Sequence, residues 1–272
     1  MSIRNKTKGV KMKSKVALAV VSVLGVFFIQ PAEANQGKSL VIIDAYFQSG
    51  VAQGAISSTG SICTQVTPVA GASASDPYNH GTAVYSTAVK QNPNIKIIPI
   101  CAGTVSVAGR GVLRAGSVTP DNFINALNWV NNNSSNVGAV SVSVFMNHNT
   151  KPCMPPKLIS ASPETADTAI RGLIATLKSK NIPVFVATGN APKTKVDYPA
   201  CITDTVSVTS PGNVSDASTD LSVSLDNNAG VWNFNSTVFG SIPQTTSTVT
   251  SAVAAQYILK GMPTTKNVLV NP

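Results

Sequence analysis

Asn79-His80-Gly81-Thr82-Ala83-Val84 is the stretch from which the rest of the chain can be read. It places a histidine at the start of a helix that continues through Tyr85-Ser86-Thr87-Ala88-Val89, small and apolar enough to lie against a core. Gly81 lets backbone or substrate approach closely behind the imidazole. The chain holds two histidines, His80 and His148, so any histidine chemistry has few candidates. Three other stretches bear on His80. Asp44 ends an apolar run upstream, Ala187-Thr188-Gly189-Asn190 ends another downstream, and Ser247 stands near the C-terminus.

Around these landmarks, strands and helices alternate. Leu40 to Asp44, Ile95 to Cys101, Ala139 to Phe145, Ile182 to Ala187 and Thr205 to Val208 are short apolar runs, as expected of buried parallel strands. The His80 helix stops near Gln91-Asn92-Pro93, where proline ends it. Thr119-Pro120-Asp121 opens a second helix with a capping hydroxyl, proline at the first position and an acid in the first turn. Phe123, Ala126, Leu127 and Val130 give that helix one apolar face. Ser162-Pro163-Glu164 opens a third by the same logic, with Ile170, Leu173, Ile174 and Leu177 aligned and a basic end at Lys178 to Asn181.

Gly50 to Ser75, with a short strand within it, and the glycine-punctuated Gly103 to Gly116, which carries Arg110 and Arg114, are expected to be loops. Short strands are expected at Leu221 to Leu225 and Gly230 to Trp232. A last helix, Thr246 to Leu259, is rich in Ala, Val, Ser and Thr and suits a buried position. Strands alternating with helices imply an α/β fold, a mostly parallel sheet with helices on both faces, in a single domain. With 272 residues, 43% of them hydrophobic, one large core is feasible.

The first 34 residues stand apart. Arg4, Lys6, Lys8, Lys11, Lys13 and Lys15 precede a continuous apolar run from Val16 to Ile29, and Ala32-Glu33-Ala34 follows. That is the layout of a secretory signal peptide, with cleavage expected before Asn35 and a mature domain over 35–272. The apolar run is shorter than the ~20 residues of a spanning helix, so no membrane association is expected after cleavage. Removal of the segment lowers the net charge from +9 to +4, 14 basic residues against 10 acidic. No basic run is interleaved with aromatics, which leaves nucleic-acid binding without support. The expected location is secreted or periplasmic. There, Cys63, Cys101, Cys153 and Cys201 form two disulfides, and of three possible pairings Cys63–Cys101 with Cys153–Cys201 is preferred. Their scattered spacing does not fit zinc.

Taken in order, the landmark residues resemble the subtilisin-like serine proteases, the subtilases. Val41-Ile42-Ile43-Asp44 is similar to their strand ending in the triad aspartate, and His80-Gly81-Thr82 to their histidine motif. Pro183 to Asn190 is similar to the strand that delivers their oxyanion-hole asparagine, and Tyr198-Pro199-Ala200 fits the pattern downstream of it. Thr246-Ser247 with the small-residue helix behind it resembles the nucleophile motif. Asp, His, Ser is also the subtilisin chain order. The resemblance implies peptide-bond hydrolysis on a polypeptide substrate. Asp44 would orient His80, His80 would act as base, Ser247 as nucleophile and Asn190 as oxyanion donor. No cofactor is implied. Many subtilases bind calcium, but no cluster of carboxylates assigns a site.

Each landmark also has a plain structural reading: a strand-end cap for Asp44, a Gly-Asn turn for Asn190, a helix N-cap for Ser247. Ser241 competes as nucleophile, though Pro243 and Gln244 fit no such pattern, and His148 is expected on a surface loop beside Cys153. The departures from the family are specific. Ala45-Tyr46 follow the aspartate where a small residue and glycine are usual, and Ala83 replaces a second histidine. Thr245 replaces the glycine before Thr-Ser, Ser251-Ala252 replace Pro-His, and Val142 to Phe145 lacks Ser-Leu-Gly. Nine residues, Asn35 to Ile43, separate the cleavage site from Asp44 and leave no room for a folding pro-domain. Two alternatives follow: an inactive subtilase scaffold serving as a secreted binding protein, and a periplasmic small-molecule-binding α/β protein.

Overall fold

The computed structural model describes residues 35–47, 56–57, 77–108, 112–144, 146, 153–155, 162–190, 196–210, 219–225, 232–233, 241–242, 245–262 and 267–270. The expected signal peptide, Cys63, Arg110 and His148 lie outside the described residues.

The chain runs β1 (Ser39–Asp44), β2 (Ile56–Ser57), α1 (Pro77–Gln91), β3 (Lys96–Cys101), then β4 (Gly103–Ala108) and β5 (Val112–Val118). It continues with α2 (Pro120–Asn132), β6 (Val137–Val142), α3 (Pro163–Ser179), β7 (Val184–Ala187), β8 (Val206–Thr209) and β9 (Leu221–Leu225). The last elements are β10 (Trp232–Asn233), β11 (Ser241–Ile242), α4 (Thr246–Lys260) and β12 (Asn267–Val270). Among the described residues, the main sheet has eight strands in the order β12-β9-β8-β7-β6-β1-β3-β2. All its pairings are parallel. This is the expected α/β architecture, with β1 near the middle.

Side-chain alternation along β1 divides the core in two. Leu40 and Ile42 face α1 and α4, packing with Ala83, Val84, Ala88, Val249, Ala252 and Val253. Val41 and Ile43 face α2 and α3, against Phe123, Leu127, Ile170 and Ile174. The two clearly capped helices form as expected: the Thr119 hydroxyl accepts from Asn122 N at 3.2 Å, and that of Ser162 from Thr165 N at 3.2 Å. Eleven of the fifteen residues of α4 are buried, which its small side chains permit without holding neighbouring elements apart. No described helix is long and apolar enough to cross a membrane.

Two expectations need correction. Gly103 to Gly116 is not a loop: β4 and β5 pair antiparallel, Val105 opposite Ala115 and Val107 opposite Leu113. The β-branched residues between the glycines have strand propensity, and the glycines punctuate the hairpin without dissolving it. The parallel strand β12 is an addition to the expected set, its Asn267-Val268-Leu269-Val270 too short a run to announce a strand. Cys153 and Cys201 are bonded as preferred, with Cα atoms 5.7 Å apart. Cys101 is disulfide-bonded too.

Candidate active site

Asp44 is the last residue of β1, where sites gather in parallel sheets. It is 1% exposed. Its backbone carbonyl accepts from Ala102 N at 2.8 Å and its Oδ1 from Ala45 N at 2.6 Å. His80, in the first turn of α1, points Nδ1 at both carboxylate oxygens, 3.0 Å from Oδ1 and 2.9 Å from Oδ2. An ionised carboxylate only accepts, so Nδ1 donates, and in the neutral ring Nε2 is left as the basic nitrogen. Burial pushes the imidazole down, but the charge of Asp44 and its hydrogen bond outweigh that, and His80 sits above the ordinary histidine value.

The closeness of this pair depends on Gly81. A Cβ there would collide with the Tyr46 carbonyl oxygen and stand 3.1 Å from Asp44 Cβ. Tyr46, the bulky departure after the aspartate, is 3% exposed and belongs to the α1 side of the core.

Ser247 is the second residue of α4, not its cap. Thr245 is the cap, in a reciprocal box: its hydroxyl accepts from Thr248 N at 3.3 Å, and Thr248 Oγ1 accepts from Thr245 N at 2.9 Å. The structural reading of Ser247 as N-cap is therefore corrected, and its hydroxyl is relieved of that work. Helices α1 and α4 run parallel: Ser251 Oγ donates to Val84 O at 2.9 Å, and Gln256 Nε2 to Gln91 Oε1 at 3.0 Å further along. Ser251 lies four residues after Ser247, and Val84 four after His80. Both landmark residues thus stand about 6 Å, one turn, before the same contact. No hydrogen bond joins His80 to Ser247 among the described residues. Ser143 Oγ, just past β6, donates to Ser247 O at 3.5 Å.

Asn190 follows β7 through Thr188 and Gly189, whose φ of +104° suits glycine. Its Oδ1 accepts from Thr246 N at 3.0 Å and Thr246 Oγ1 at 2.8 Å. With the carbonyl end of the amide held against α4, Nδ2 makes no hydrogen bond among the described residues. The Ser247 N–H, in the first turn, likewise has no intrahelical acceptor. Asn190 is thereby tied to the first turn of α4, the turn that carries Ser247. Ser241 lies instead in the separate β10–β11 ribbon, opposite Asn233.

Solved structures share this arrangement of elements. The nisin leader peptidase NisP of Lactococcus lactis matches with a TM-score of 0.56 at 12% identity, over 86% of this chain and 85% of that one. The epidermin leader peptide processing serine protease EpiP of Staphylococcus aureus matches with a TM-score of 0.53 at 15% identity, over 82% of this chain and 64% of that one. A lanthipeptide protease gives 0.52 at 13%, over 81% and 72%. The fold is that of the subtilisin-like proteases. At these identities the likeness is one of fold. No protein-family model and no curated protein matches the chain. Along the chain, Asp44 ends β1, His80 stands in the first turn of α1, Asn190 follows β7 by three residues and Ser247 stands in the first turn of α4.

Proposed function

We propose that the chain is an exported, divergent subtilisin-like serine endopeptidase that cleaves polypeptides through Asp44, His80 and Ser247. The observation that carries this reading is the pairing of buried Asp44 with half-buried His80, standing at the same end of a parallel helix pair as Ser247. Nε2 of His80 takes the Ser247 proton as Oγ attacks the scissile carbonyl, and returns it to the leaving amine. Asp44 fixes the tautomer and stabilises the imidazolium. Asn190 Nδ2 and the Ser247 N–H hold the oxyanion, and one such donor is worth about 3–4 kcal/mol of transition-state stabilisation. The gap between His80 and Ser247 closes when substrate seats, since catalytic hydrogen bonds are often long in the empty enzyme. Export rests on the basic, apolar and Ala-x-Ala layout of residues 1–34.

A fluorophosphonate probe on the mature protein tests the reading. The expected result is one adduct, on Ser247, lost in Ser247→Ala and in His80→Ala. No adduct, in protein shown to be folded, would leave an inactive scaffold that binds polypeptide as the better account.

A further inference from the structure

Only two carboxylates are buried among the described residues, Asp44 at 1% exposure and Asp197 at 2%. Asp44 holds His80, and Asp197 lies against the turn that carries Asn190. We infer that Asp197 is a positioning residue for Asn190, resting on the peptidase reading above for what that positioning achieves.

Asp197 Oδ2 lies 2.7 Å from where a Cβ of Gly189 would stand. The carboxylate thus fills the space a side chain at 189 would need, and the positive-φ turn that presents Asn190 rests directly on it. Asp197 cannot easily withdraw. Its N–H donates to Thr188 O at 3.4 Å, and its carbonyl accepts from Cys201 N at 3.1 Å. Cys201 is bonded to Cys153, whose carbonyl accepts from Arg171 Nη2 at 3.2 Å. Arg171 Nε is in turn paired with Asp167 of α3 at 2.7 Å. On the other side, Tyr198 O accepts from Met146 N at 3.2 Å. The segment is therefore fastened to α3 and to the chain leaving β6.

Asn190 is consequently held at two points. Thr246 fixes the carbonyl end of its amide, and Asp197 supports the backbone beneath it. An oxyanion donor acts only when placed in advance, because its value lies in needing no reorganisation during the reaction. Loosening the lower support should cost turnover and leave substrate binding alone.

The test is a double-mutant cycle between Asp197→Ala and Asn190→Ala, read as kcat and KM separately. Asp197→Ala should lower kcat by on the order of 10- to 100-fold with KM unchanged. In the Asn190→Ala background it should cost nothing further. Asp197→Asn, which keeps the shape, should restore most of the turnover. If Asp197→Ala does not fold, Gly189→Ala disturbs the same contact from above and should show the same non-additivity. Additive losses, or a loss carried by KM, would overturn the inference and leave the peptidase reading standing. A readout free of activity is the NMR signal of the Asn190 side-chain amide. It should shift and exchange faster with water in Asp197→Ala, and an unchanged signal would overturn the inference even in an inactive protein.

Discussion

Gly81→Ala separates the geometry of the site from its stability. Alanine is the better helix former by about 1 kcal/mol, so propensity alone favours the variant. Against that, the new methyl meets the Tyr46 carbonyl and approaches Asp44 Cβ at 3.1 Å. The oxygen belongs to backbone that Ala102 and Gly103 hold at Asp44 and Ala45, with bonds of 2.8 and 3.1 Å. The strand end is thus the firmer side, and the first turn of α1 must retreat. Overpacking of this kind costs about 1–3 kcal/mol, so the net loss is about 0–2 kcal/mol. For a domain of this size that is a fall in melting temperature of a few degrees. A retreat of about 1 Å carries His80 away from Asp44, and a misplacement of that size costs about 100-fold in kcat. The assay pairs thermal melting with peptide turnover, together with NMR titration of the two imidazoles, assigned with a His148→Asn variant. The expected outcome is a near-normal melt, about 100-fold lower turnover, and a His80 pKa that drops from its raised position. Wild-type turnover with an unchanged His80 titration would refute the reasoning, because it would mean that the contact is relieved without moving the histidine.

Three further outcomes follow from other parts of the molecule. Because His80 is held above the ordinary value of 6.5, its pair with Asp44 stabilises the fold fully below pH 6.5. That contribution is lost as pH rises through the folded value. Since the base must be neutral, peptidase activity should rise over the same window in which the melting temperature falls, and His80→Asn should flatten the melting profile. Asn190→Ala should lower kcat by about 100- to 1,000-fold with little change in KM, measured on a peptide substrate. Replacing Cys153 and Cys201 together by serine opens a loop of 48 residues, and by loop entropy should cost about 4 kcal/mol. That is a fall of roughly 10 °C in a thermal melt.

How much of this was legible in the sequence depended on whether the signal was local. The central strands are legible because both their faces are buried, so β1, β6 and β7 read as mainly apolar runs. Helices α2 and α3 were readable from their caps, which are short-range hydrogen bonds. The hairpin of β4 and β5 was hidden by its glycines, and β12 by its brevity. Its place is set by pairing with β9, a contact made across more than forty residues. In the site, the strand-end and helix-start positions of Asp44, His80 and Asn190 were readable. That Thr245 and not Ser247 caps α4 was not, because either hydroxyl suits a cap and only the backbone decides. Asp197 was missed as well. Its signal is slight, one acid between Val196 and Tyr198-Pro199, and its meaning lies in what folds over it.

The departures from the subtilase pattern have packing consequences that can be followed residue by residue. Tyr46 fills the core between the start of α1 and Gly103, its ring 2.7 Å from the position of a Gly103 Cβ. Ala83 packs in the same cluster as Ala252, and Ser251 beside it donates to Val84 O. The changes on α1 and α4 therefore meet each other at one helix contact. Thr245, in place of a glycine, supplies the cap that leaves the Ser247 hydroxyl unspent. Tyr46, Ala83, Thr245 and Ser251-Ala252 thus each have a structural task. A buried charge such as that of Asp44 is costly to the fold unless it is paired. Substitution of Asp44 by an apolar residue would relieve that cost at once. The pairing of Asp44 with His80 at 2.9 Å is the compensation the structure shows for that burial.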